Sequence, residues 1–290
     1  MTGEISIDDK WIGLRCTMKH NIRLIAIDLD GTLLNSEQKV TPASRAAMQR
    51  VAQAGIQVIL VTGRSASSTE TVLDMLRMDL PYICSAGSLI QSGKSGRLIS
   101  ARPFHSPQEL NKVIAYVRQH NAGLVADLLD GKMCWFGPDS LIEELDPLTV
   151  ESIPDSIHTY SPEQDFDRPI LKISIAGKMD FHNAIAADVL SGLKSIHHVY
   201  AGLHYTDLTA LGVDKGSALE IFARNAKIPS AEIAAIGDQL IDLPMFSYSG
   251  LSIIMGNAPE SIKTSADWVT SSNDEDGVAR ALMKILEDHS

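Results

Sequence analysis

The sequence predicts an α/β fold: a doubly wound parallel sheet interrupted midway by an α+β insert. Three observations predict it. Short apolar runs of strand length recur near both ends of the chain, as in sheets covered on both faces. Segments of helical periodicity separate them, which gives the strand–helix–strand order of right-handed crossovers. The middle of the chain carries hairpin signals and half-polar strands instead.

The elements follow in order. Residues 22–28, IRLIAID, read as a buried strand ending in acid. Residues 42–54 read as a helix, with Thr41 as N-cap, Pro42 at the first helical position and Gly55 as stop. Residues 56–61 are a second buried strand, 66–77 a helix and 82–85 a third strand. In the insert, Ser106-Pro107-Gln108-Glu109 has the form of a capping box opening a helix to about His120. VADLL and KMCWF flank an Asp130-Gly131 turn and read as a hairpin. Residues 170–175 alternate like a half-exposed strand, 181–194 are helical, and strands at 196–200 and 203–208 meet at Gly202. The α/β pattern then resumes. Helices are expected at 215–226, 243–248, 258–265 and 274–287, with strands at 233–236 and 251–255. The predicted division is a flexible leader 1–19, a core of 20–90 and 205–290, and an insert of 91–204.

Composition narrows the function. With 44% apolar and 21% charged residues over 290 positions, the chain reads as a soluble globular protein of two domains. Its net charge of -11 argues against nucleic-acid binding, which needs a basic face. No apolar run approaches the roughly 18 residues of a membrane span. Cys16, Cys84 and Cys134 are too few and too scattered for a disulfide framework or a zinc site, and fit a reducing cytoplasm. An acidic chain can still bind a small phosphate through a metal, a few cations and backbone N–H groups.

Four constellations offer those devices, each at the end of a predicted parallel strand, where open α/β sheets bind ligands. In Asp28-Leu29-Asp30-Gly31-Thr32-Leu33-Leu34, two acids two apart point to one side. One can attack phosphorus, the other can serve the leaving group's proton, and together they can hold magnesium. Thr62-Gly63-Arg64 offers a hydroxyl and N–H groups to phosphate oxygens. Lys215 opens a helix, where the dipole disfavours a cation, so a ligand role suits it better than a surface one. Asp238 and Asp242 stand four apart and share a face of any helical turn.

At these residues the chain resembles the haloacid dehalogenase superfamily, specifically its Cof-type hydrolases. The resemblance runs from about His20 onward, through the order of the motifs and the tail strings MGNAPESIK and ADWVTSSNDEDGVA. It implies a Rossmann-like core with an α+β cap, and magnesium-dependent hydrolysis of small phosphorylated metabolites such as sugar phosphates. Asp28 would form an aspartyl-phosphate, while Asp30 would protonate the leaving oxygen and then activate water. Magnesium would rest on Asp28, the Asp30 backbone carbonyl and Asp238, with Asp242 in support. Thr62, Gly63 and Lys215 would hold phosphoryl oxygens, Arg64 would meet substrate or cap, and Asn257 would line the same pocket. Two positions depart from the family pattern. Ile241 stands where asparagine is common, and Ala86-Gly87 where Asn-Gly is common. Activity is expected nonetheless, weaker or with altered substrate preference. The alternatives are a phosphomutase, or a binding protein that keeps the fold.

Other signals carry blander expectations. His197, His198 and His204 near Asp207 read as ordinary strand residues, not a second metal site. Lys172 reads as an exposed strand lysine, Trp135 and Phe136 as cap packing, and Cys84 as a buried strand residue without nucleophilic character.

Overall fold

The structure, a computed structural model, describes residues 21–104, 106–138, 158–159, 168–200 and 205–289. The expected leader with Cys16, and Gly202, Leu203 and His204, lie outside the described residues. The chain begins with β1 (Leu24–Ile27), α1 (Pro42–Gln53), β2 (Gln57–Val61), α2 (Ala66–Leu76), β3 (Tyr82–Cys84), β4 (Leu89–Gln91) and β5 (Leu98–Ala101). The insert follows with α3 (Pro107–Gln119), β6 (Gly123–Leu128), β7 (Met133–Phe136), β8 (His158–Thr159), β9 (Ile170–Ala176), α4 (Met179–Asp188), β10 (Ile196–Tyr200) and β11 (Tyr205–Ala210). The last part holds α5 (Lys215–Ala226), β12 (Ile233–Gly237), α6 (Leu243–Tyr248), β13 (Leu251–Ile254), α7 (Glu260–Lys263), β14 (Trp268–Val269) and α8 (Gly277–His289).

The core sheet runs β14-β13-β12-β1-β2-β3-β4-β5, parallel from β14 to β3. Successive β1 and β2 residues serve opposite faces, as strand geometry requires. Ile25, Ile27, Val58 and Leu60 pack with Met48 and Val51 of α1 and Leu282 of α8. Leu24, Ala26, Ile59 and Val61 pack with Leu219 and Phe222 of α5 and Phe246 of α6. The chain winds outward from β1 in one direction and from β12 in the other. The strand order therefore reverses at β1, which is where a ligand crevice belongs.

The second sheet runs β10-β11-β9-β6-β7-β8. Leu124, Ile173, Ile175 and Leu208 pack one face against Val113 and Val117 of α3 and Ile185 of α4. The opposite face turns polar residues toward the core. Ser85 Oγ donates to Asp127 of β6 at 3.0 Å, and Ser88 Oγ donates to the Leu171 carbonyl at 2.7 Å.

Sheet membership differs from the predicted division at both ends of the insert. The 91–101 stretch, expected in the insert, forms most of an antiparallel β4–β5 hairpin that extends the core sheet. Strand β11 pairs antiparallel with both β9 and β10, as expected of the two strands read as meeting at Gly202, so the boundary drawn at 205 falls inside the second sheet. Its polar residues Thr206, Asp207 and Thr209 suit that mixed sheet and not the fully apolar interior of the parallel sheet. The expected capping box at α3 is also redirected. Ser106 makes no side-chain cap bond, and Glu109 instead accepts from the Lys194 and Ser195 N–H groups at 2.8 and 2.9 Å, tying α3 to the entry of β10. Helix α4 stops at Asp188 and passes into a short 3-10 turn at Leu190–Gly192.

One backbone contact aligns the two ends of the core. Gly87, just beyond β3, has φ +103, and a Cβ there would lie 2.2 Å from the carbonyl oxygen of Asp214, the N-cap of α5. We expect Gly87→Ala to cost about 2–4 kcal/mol through backbone strain and forced displacement. Gly55→Ala, also at positive φ (+83) but with no atom within 4 Å, should cost only about 1–2 kcal/mol. Urea unfolding of the two variants checks the difference. Equal losses would show that the Asp214 contact is yielding.

Candidate active site

Asp28 is the first residue past β1, and its side chain is 6% exposed. Lys215, at the first turn of α5, reaches across to it. Lys215 Nζ donates to Asp28 Oδ1 at 2.6 Å and to Asp242 Oδ1 at 2.6 Å. This explains a lysine where the helix dipole disfavours one: two carboxylates outweigh the dipole. Asp214 caps the same helix by accepting from Ser217 N at 2.7 Å, which fixes the first turn.

Asp238 and Asp242 lie at the end of β12. Asp242 Oδ2 accepts from the Asp238 and Gln239 N–H groups, both at 3.0 Å, so this side chain folds the loop that carries Asp238. Asp238 accepts from Thr32 Oγ1 at 2.9 Å and from Gln239 Nε2 at 3.0 Å. The 28–32 and 238–242 loops are thereby locked together. Gly31 makes the approach possible: its φ is +74, and a Cβ there would sit 2.4 Å from Asp238 Oδ2.

Asp28, Asp238 and Asp242 are all buried, and each offers a carboxylate oxygen within 4.8 Å of the others. Three carboxylates around one ammonium leave a negative surplus in a low-dielectric setting. Burial raises Asp28 well above the usual carboxylate range, with Asp242 adding to the rise against Lys215. Burial and Asp242 push Asp238 up to about 6. Burial opposes the Lys215 ammonium, but Asp242 and Asp28 overcome it and raise its pKa. A hard divalent cation with oxygen ligands would relieve this surplus, so the donor set fits a metal such as magnesium.

Asp30 points elsewhere. Arg64 Nε and Nη2 grip its carboxylate at 2.8 and 2.5 Å, and Nη2 also donates to Gln38 Oε1 at 2.5 Å. Arg64, expected at substrate or cap, thus orients Asp30 with a planar fork that lysine could not reproduce. Thr62 is fully buried and accepts from Arg64 N at 3.1 Å, which leaves its O–H as a donor. Gly63 follows, with no Cβ between its backbone and the insert's Asp207. Asn257, expected to line the pocket, lies 3.5 Å from Asp238 but mainly braces loops: its Nδ2 donates to the Gly31 carbonyl at 2.8 Å and its Oδ1 accepts from Asn273 N at 3.0 Å.

The departures from the family pattern have physical consequences. Ile241 is half-buried in the 3-10 turn beside Asp242 and offers no polar group. Ala86 is buried in a left-handed conformation, φ +53, which asparagine tolerates better than alanine. Its N–H donates to the Thr62 carbonyl at 3.1 Å, so the backbone role of the turn survives. Sequence reasoning missed Thr32 as a partner of Asp238, although it sits inside the DLDGTLL string. It missed Gln38 as well, for which no local signal exists. It also misplaced Lys172, which is 8% exposed and faces the core. Cys84 is fully buried, and burial pushes its thiol up, as expected of a structural cysteine. Trp135 is buried, with Nε1 donating to the Gly137 carbonyl at 3.2 Å, in line with a packing role.

Comparison with known proteins places this geometry. The profile of the haloacid dehalogenase-like hydrolases matches residues 25–282. The chain is 29% identical to phosphatase YwpJ of Bacillus subtilis, covering 91% of this chain and 100% of that one. It is 31% identical to the 5-amino-6-(5-phospho-D-ribitylamino)uracil phosphatase YwtE of the same organism, covering 91% and 98%. A solved haloacid dehalogenase-like hydrolase from B. subtilis superposes with a TM-score of 0.79 at 25% identity, over 90% of this chain and 99% of that one. Among the described residues, no helix is long and apolar enough to cross a membrane. With the profile spanning most of the sequence and the acids and lysine gathered at the strand ends, the chain belongs to the haloacid dehalogenase-like hydrolase family.

Proposed function

We propose that this protein is a magnesium-dependent phosphatase of small phosphorylated metabolites that works through an aspartyl-phosphate on Asp28. The observation that carries the reading is the buried triangle of Asp28, Lys215 and Asp242 beside Asp238, at the point where strand order reverses. Relatives named as phosphatases, one of them for a ribitylamino-uracil phosphate, support the substrate class.

The residues divide the work as follows. Asp28 attacks phosphorus, forming an acyl-phosphate bond as the ester P–O bond breaks. Lys215 opposes the protonation of Asp28 that burial favours, and offers charge to a phosphoryl oxygen. Asp30, once released from the Arg64 fork that engages both its oxygens, gives a proton to the leaving oxygen. In the second half, Asp30 takes a proton from the water that attacks phosphorus, and inorganic phosphate departs from a regenerated Asp28. Thr62 O–H and the backbone of Gly63 present donors to the phosphoryl oxygens. Asp28, Asp238 and the Asp30 carbonyl would hold magnesium, while Asp242 spends both its oxygens on Lys215 and the Asp238 loop. When bound, the ion supplies neutralising charge at the phosphoryl group.

Turnover of an aryl phosphate, measured with and without magnesium, tests this reading. We expect magnesium-dependent release of phosphate, and a loss of at least about a thousandfold in Asp28→Asn. Full activity in that variant would remove Asp28 as nucleophile. A second expectation concerns Lys215→Met. Removing the cation shared by two buried carboxylates should lower stability by about 3–5 kcal/mol in chelator, and magnesium should restore part of the loss. A melting temperature unchanged in chelator would show that the ion pair is not a stability determinant.

A further inference from the structure

Three consecutive residues just beyond β3 lie in the left-handed region: Ser85 at φ 47, Ala86 at φ 53 and Gly87 at φ 103. Two of them carry side chains, which makes the turn costly for the chain. Such conformations persist where the surroundings over-determine them, and they gather at functional sites. Here the surroundings include the loop after β2. The Ser85 N–H donates to the Arg64 carbonyl at 2.7 Å, and the Ala86 N–H donates to the Thr62 carbonyl at 3.1 Å. The Thr62 carbonyl and the Gly63 N–H belong to one planar trans peptide, so they point in opposite directions. By holding the carbonyl, the turn aims the Gly63 N–H away from itself. That N–H is one of the donors assigned above to the phosphoryl oxygens.

The side chains of the turn show what keeps it in place. Ser85 Oγ donates to Asp127 Oδ2 of β6 at 3.0 Å, and both residues are buried. Ser88 Oγ donates to the Leu171 carbonyl of β9 at 2.7 Å. Ser85 is therefore bound twice, by its N–H to the Thr62–Arg64 loop and by its hydroxyl to the second sheet. Ala86 has only a methyl group with which to resist a return to the ordinary φ range. The Ser85 hydroxyl supplies the hold that Ala86 lacks.

We propose that Ser85 is a positioning residue for phosphoryl transfer: its hydroxyl, anchored on Asp127, holds the left-handed turn that sets the Thr62 carbonyl and so aims the Gly63 N–H. The inference rests on the phosphatase reading. Ser85 acts through the loop and not on the reacting atoms.

The test is steady-state hydrolysis of an aryl phosphate by the full chain with magnesium, together with inhibition by inorganic phosphate. In Ser85→Ala, kcat should fall about tenfold, the scale on which a displaced positioning group acts. The inhibition constant of inorganic phosphate should rise by a similar factor, because the N–H that the turn aims bonds an anionic oxygen. Adding Ala86→Gly to Ser85→Ala should bring both quantities to within about threefold of the normal protein, since glycine holds the left-handed turn without strain. The loss caused by Asp127→Ala should be smaller in the Ser85→Ala background than in the normal one. A merely structural Ser85 would lower the melting temperature and leave kcat and the inhibition constant unchanged. That result, a loss that glycine does not restore, or additive losses with Asp127→Ala would each overturn the inference and leave the phosphatase reading intact. Absence of magnesium-dependent turnover in the normal protein would overturn the phosphatase reading and this inference with it.

Discussion

The arrangement of the site depends on Lys215. One ammonium, 1% exposed, is shared between Asp28 and Asp242 at equal distances of 2.6 Å. Burial presses Asp28 to take up a proton and lose its charge, and Lys215 opposes this. Shared, the lysine holds one acid poised at the end of β1 and a second that folds the loop after β12. Asp242 then orders Asp238 through two backbone N–H groups, and Asp238 reaches back to Thr32. A single cation thus connects three separate stretches of chain, the 28–32 loop, the start of α5 and the 238–242 loop. The remaining surplus of negative charge makes a divalent cation a natural further component.

The sheet supplies the rigidity that this charge balance requires. Strands β1, β2 and β12 are buried on both faces, and their carboxyl ends deliver Asp28, Thr62 and Asp238 to the same edge of the sheet, where a ligand crevice belongs. The second sheet approaches that crevice from above, through hydrogen bonds from Ser85 and Ser88. Its role follows from its two faces. One is apolar and packed on α3 and α4, and the other brings Asp127, Lys172 and Asp207 over the strand ends.

Much of this was legible in the sequence, for identifiable reasons. Buried parallel strands are written as unbroken apolar runs, and those of β1, β2 and β12 end at chemically distinctive strings, so Asp28, Asp30, Thr62 and Asp238 could be named from local pattern; Lys215 follows the antiparallel strand β11, not a parallel one as expected, and stood out by opening a helix. What failed was information carried between distant segments. ILKISIA alternates as a half-exposed strand should, but the face that bears Lys172 looks onto another sheet, not onto water. Arg64 and Asp30 stand 34 positions apart, and nothing local pairs them. Glu109 has the spacing of a capping residue, yet the backbone of Lys194 and Ser195 competes for it and wins. The β4–β5 hairpin escaped notice because strands of three and four residues leave too little pattern to read.

The claim on which the account turns is covalent: Asp28 carries the phosphoryl group during turnover. Acid quenching of the magnesium-loaded protein during steady-state hydrolysis, followed by peptide mass analysis, tests it directly. The account predicts a phosphoryl adduct on the peptide containing Asp28, lost on treatment with hydroxylamine. An adduct on another residue would contradict it.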